Sequence, residues 1–209
     1  MRQAMITTLA AAALLSATLA VAAPIRFDFS GIVNDDAING CGGLVACGTV
    51  SGSFVFDSAA ADLNPAAGIG LYAAGPVTFA IDGSAFFDAS SGLINVVDLP
   101  PVDQYGLLAL GGAAANGSLA DLSLLLEDAT GAALGSDALP LTAASLASMG
   151  GGFTLFALDD AFQLMGSITS IVCGSGCDGG SVPEPAGLPL LAIGLAGLGV
   201  GRRIARRTG

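Results

Sequence analysis

The chain has 209 residues, is 53% hydrophobic and carries a formal net charge of −11 with no histidine. Five of its six bases lie at the two ends, which leaves Arg26 alone against sixteen acids in residues 23–183, a net charge of −15 for that segment. Such a body repels phosphate backbones and anionic headgroups, which excludes nucleic-acid binding. Without His or Lys, the Ser–His, Cys–His and Ser–Lys routes to an activated nucleophile have no base.

Residues 1–22 read as an export signal. Arg2 gives the cationic start, Ala4 to Leu19 is apolar apart from small hydroxyl residues, and Ala20-Val21-Ala22 is the small-x-small exit for signal peptidase. Cleavage is placed after Ala22.

Beyond it the dominant period is two. Ile25, Phe27 and Phe29 alternate with Arg26, Asp28 and Ser30, and "GTVSGSFVFD" follows with the same one-sided pattern. "GPVTFAIDG" turns at Asp82-Gly83 into "SAFFDA"; an Asp-Gly pair between two such runs is a hairpin signal, because both central turn residues need positive φ. "GLINVVD", "QYGLLAL", "LADLSLLLED", "GGFTLFAL" and "FQLMGSITSIV" continue the series to about nine short strands. "LTAASLASMGGG" is the one stretch that invites a helix, with Thr142 as N-cap and Gly150 as stop.

Short, regularly spaced strands with one wet face predict an all-β, antiparallel β-sandwich of jelly-roll type over residues 23–172, flanked by the N-terminal signal helix and a C-terminal transmembrane helix. An outer-membrane barrel also alternates, but it calls for aromatic girdles and a polar lumen. This chain has two Tyr and no Trp, and most of its runs are short for a span.

Four cysteines, Cys41, Cys47, Cys173 and Cys177, are an even count in a chain read as exported, and so point to disulfides. The Gly-rich loops between them favour the local pairs 41–47 and 173–177, while the x5 and x3 spacings and the absence of His argue against zinc. No cofactor is implied.

Paired acids at Asp35/Asp36, Glu127/Asp128 and Asp159/Asp160 offer the residue types of a glycosidase. All sit at strand ends or turns, where Asp caps backbone N–H groups, so the body is read as non-catalytic. "NDDAIN" and "DSAAADLN" cluster Asp with Asn as calcium ligands would, without the EF-hand spacing. Asn116 heads an N-G-S glycosylation triplet, too short a motif to carry weight.

Residues 173–182 form a Gly/Ser/Cys linker, and 183–209 a distinct tail. Pro183 and Pro185 hold the backbone extended around Glu184. Ala186 to Val200 is apolar, about 22 Å as a helix against roughly 30 Å of hydrocarbon. Arg202, Arg203, Arg206 and Arg207 then keep the end cytoplasmic by the positive-inside rule.

Val182-Pro183-Glu184-Pro185, a hydrophobic stretch and a terminal arginine cluster together resemble the PEP-CTERM sorting signal. The resemblance is confined to the last 28 or so residues. It implies recognition and removal of the tail by an exosortase, transient residence at the inner membrane, and release to the surface or exterior of a cell that makes exopolysaccharide or biofilm. The expected function is a non-catalytic exported surface or matrix protein, with exopolysaccharide as a partner of the body. The alternative is a calcium-dependent carbohydrate-binding module of the matrix.

Overall fold

The computed structural model describes residues 23–36, 48–64 and 66–177. Nine strands follow in chain order: β1 (Pro24–Asp36), β2 (Thr49–Asp57), β3 (Ile69–Ile81), β4 (Ser84–Ala89), β5 (Gly92–Leu99), β6 (Val102–Ala114), β7 (Leu119–Asp128), β8 (Gly150–Ala157) and β9 (Gln163–Ser175). β4 and β5 lie end to end along one edge of β3, and β6 pairs with both on their other side. They behave as one strand interrupted at Ser90-Ser91.

Counted that way, each strand pairs antiparallel with the next in sequence, and β9 returns to pair with β1. The result is a closed, eight-position up-and-down barrel. This overturns the sandwich expectation: among the described residues all strands belong to one sheet, and the edges that a sandwich leaves open are joined at the β1–β9 seam. Alternation reports that a strand has one buried face, and a sandwich and a barrel satisfy that condition equally.

What distinguishes them here is length and curvature. β1, β3, β6 and β9 each run 13 residues, enough to tilt around a barrel. The seam carries three register shifts, and such bulges bend a strand and raise its twist. Glycines supply the remaining room. A Cβ at Gly52 would collide with the ring of Phe29, its partner on β1, and one at Gly166 with the ring of Phe153 on β8. Each aromatic ring lies over the bare backbone that lets the sheet coil.

The lumen is a packed core. Phe27 meets Phe54 and Phe56 edge-on at centroid distances of 5.6 and 5.3 Å, and Phe79 lies 5.0 Å from Phe153, geometries that add to the area these rings bury. Leu107, Leu122, Leu124, Leu126, Leu155 and Leu164 fill the space between them. The lumen therefore differs from that of an outer-membrane barrel, which is polar.

One end is closed by the β7–β8 connection, residues 129–149. Leu134, Leu139, Ala143, Leu146 and Met149 are buried as part of the same core. The helix expected from Thr142 to Gly150 reduces to one 3-10 turn, Leu146–Ser148, and Gly150 opens β8 instead. The segment's small and apolar residues are drawn against the barrel end, and Ser145 makes no side-chain capping bond. At the opposite end Asp82 (φ +48°) and Gly83 (φ +78°) form the β3–β4 hairpin turn with the positive φ values that a type I′ turn demands.

β1 begins and β9 finishes at the closed-over end, so the chain enters and leaves the barrel on one side. β9 runs to Ser175, and the folded body thus extends past residue 172, where the linker was placed. The signal and tail segments lie outside the described residues. Among the described residues no helix is long and apolar enough to cross a membrane.

Candidate functional site

Val182 to Pro185, read above as a sorting motif, the four tail arginines and Cys41 and Cys47 all fall outside the described residues. Cys173 and Cys177 are joined by a disulfide with Cα atoms 6.0 Å apart.

The pairs Glu127/Asp128 and Asp159/Asp160 do not converge. Glu127 is level with Gly150, where β8 begins, and Asp159 follows that strand's far end. Nine residues of strand at about 3.3 Å each place the two pairs near 30 Å apart, whereas glycosidase carboxyls stand about 5–9.5 Å apart. Glu127 and Asp128 also leave β7 on opposite faces. Asp35 and Asp36 are the last residues of β1, level with Met165 and Leu164.

Several of the acids have a local task. Asp57 accepts the Ala59 N–H at 2.8 Å, and Asp62 accepts those of Asn64 and Leu71 at 2.8 and 2.9 Å. Asp82 accepts the N–H and hydroxyl of Thr49. Asp159 accepts the Ala161 N–H and the Ser118 hydroxyl, tying two turns of one barrel end together. Among the described residues no three acids or cysteines are grouped to hold a metal ion. The Asp-Asn cluster at 57–64 is turn chemistry.

The most elaborated polar region is the closed-over end. Asp98, Asp103 and Asp128 stand opposite one another on β5, β6 and β7. Asp103 is fully buried and accepts the Leu134 N–H at 2.8 Å, while its Oδ1 and the equally buried Tyr105 hydroxyl have no partner among the described residues. Asp137, within the connection, accepts the Gly68 N–H at 2.8 Å, and its carbonyl accepts the Tyr72 hydroxyl at 2.9 Å. Burial pushes the Tyr72 phenol up, with Asp62 and Asp137 adding to it, and burial alone pushes Tyr105 well up. Carboxylates thus fasten the connection to β3 and β6. The signal for Asp103 was present in the sequence: it shares the parity of Tyr105, Leu107 and Ala109, the inward face of β6.

Asp128 organises the start of the connection itself. The Thr130 N–H and hydroxyl, then the Ala132 and Ala133 N–H groups, hold its carboxyl down from 3.8 to about 2. A lowered folded-state pKa stabilises the fold fully above the unfolded value and loses that effect as pH falls through the folded one. The melting-temperature difference between wild type and Asp128→Asn is therefore expected to be constant above 3.8 and to shrink toward pH 2. Melting curves across that window check it; a difference that grows on acidification would contradict the assignment.

On the outer wall a shallow trough of about 480 Å³ is lined by Leu71, Leu93, Leu108 and Leu125, together with Asn95 and Ser123. Gly106 and Gly152 flank Leu125 in register, so this leucine stands as a ridge between two hollows. The trough holds no ionisable side chain and cannot itself perform acid–base chemistry.

Comparison with known proteins returns no match to a family model, a curated protein or a solved structure.

Proposed function

We propose that the chain is a non-catalytic exported surface or matrix protein, sorted through its tail by an exosortase in the manner of PEP-CTERM proteins. The observation that carries the reading is the order Val182-Pro183-Glu184-Pro185, an apolar stretch from Ala186 to Val200, and four arginines at the extreme end, opposite an N-terminal export signal. The two ends have complementary tasks. The signal directs the body outward, the arginines keep the extreme C-terminus cytoplasmic, and the extended Pro-Glu-Pro segment offers a protease a backbone with withheld N–H groups.

The body is consistent with a durable structural unit. Its acids fasten turns, its lumen is filled, and its charge disfavours anionic partners. Exopolysaccharide in contact with such a surface would be neutral or cationic.

Intact-mass measurement on protein from native cells, compared with cells lacking the exosortase, tests this. The mature species is expected to begin near Ala23 and to lack residues 188–209, and the deletion strain to retain them in its membrane fraction. Native protein that keeps its arginine tail would remove the sorting assignment.

A further inference from the structure

The segment "CGSGC" closes the body, and each of its residues fits against the start of β1. Cys173 stands opposite Phe27 and Ser175 opposite Arg26, so Gly174 is the extra residue of a bulge in the seam. A Cβ on Gly174 would lie 2.5 Å from the Asp28 carboxylate, which is itself held by the Arg26 Nε–H at 2.7 Å. Gly176 has φ +79°, and a Cβ there would collide with the Pro24 carbonyl. Cys177 Sγ reaches 3.9 Å from the Arg26 carbonyl oxygen. The body's single base, its first strand and its last strand therefore meet at one point, inside or beside the ring that the Cys173–Cys177 bridge closes.

We propose that this ring is a clasp that holds the barrel seam shut at the end where both chain termini leave. Opening the bridge frees the first residues of β1 and the last of β9 while the rest of the barrel stays folded. The physical reason is locality. The bridge spans four positions, so it removes little entropy from the unfolded chain as a whole. It instead holds residues 173–177 in one compact shape that fits the start of β1, so the end of β9 loses less freedom when it docks there. Termini without such a tie fray first.

Opening balances as thiol–disulfide exchange. One thiolate of dithiothreitol attacks a cysteine sulfur and forms a mixed disulfide. The reagent's second thiol then displaces the remaining cysteine, leaving two protein thiols and the cyclic disulfide of the reagent.

Hydrogen exchange read by mass spectrometry on the purified protein, oxidised and reduced, tests the clasp, with the unreduced Cys173→Ser/Cys177→Ser variant attributing the effect to this bridge. Amides of residues 25–28 and 171–175 are expected to exchange about tenfold faster or more once the bridge is open, with those of Leu122 and Leu124 unchanged. If the double variant does not fold, reduction of the folded Cys41→Ser/Cys47→Ser variant, which retains only this pair of cysteines, gives the same readout. Seam amides that do not respond would overturn the proposal. So would a uniform loss of protection through the barrel, which would make the bridge a global staple.

Discussion

Phe27→Ala is expected to lower the stability of the body by about 3–5 kcal/mol, the range for truncating a large, fully buried aromatic residue. Phe27 has no solvent exposure and sits edge-on to both Phe54 and Phe56. Those neighbours cannot collapse into the space, because each projects from a strand fixed on both edges by a closed ladder. The loss should appear as a lower denaturant midpoint with unchanged slope, or as a fall in melting temperature of roughly 10 °C. A shift of under about 1 kcal/mol would mean that the lumen is more loosely packed than its contacts indicate.

Gly166→Val should be comparably damaging for the opposite reason. The new side chain would enter the Phe153 ring on one side and the Ile32 carbonyl on the other. A ring can change rotamer, but a backbone carbonyl within the seam moves only if β1 and β9 separate. Overpacking of this kind costs about 1–3 kcal/mol and more where the backbone must yield. Adding Phe153→Leu to Gly166→Val separates the two collisions: little recovery of the midpoint is expected. Full recovery would show that the ring alone is the obstacle and the seam has room.

Strand positions were legible because period two is a local property. Ile25, Phe27 and Phe29 announce β1 by themselves, and Asp82-Gly83 announces its hairpin. Closure was not, because it depends on the pairing of Phe29 with Ile171 and of Phe27 with Cys173, and no pattern within either strand encodes a partner so far away. The break at Ser90-Ser91 likewise looks like a turn between two strands, although both halves continue along the same edge of β3. Residues 129–149 resemble a loop with a short helix, since their apolar residues follow no period. Their order comes from fitting a barrel end, a surface made by other segments. Asp103 is hard to read for a related reason: one Asp in an inward position looks like an exception until Leu134 supplies its donor. The paired acids carry the residue types of a glycosidase, but adjacency in sequence says little of which barrel end a residue reaches.

The seam also has a consequence in time. Thr169 donates its hydroxyl to the Ser30 carbonyl across 139 positions of chain, so the first strand of the barrel waits for the last before its outer edge is paired. A chain emerging from its N-terminus can form the β1–β2 ladder and the hairpins after it, but each such intermediate displays two open sheet edges and an unfilled half-lumen. Open edges recruit other strands, and non-local pairing is slow to form. The intermediate is therefore most exposed to misassembly while β9 is missing, and a second chain's β9 then competes with its own. Arrival of residues 163–175 ends that interval and removes both edges at once.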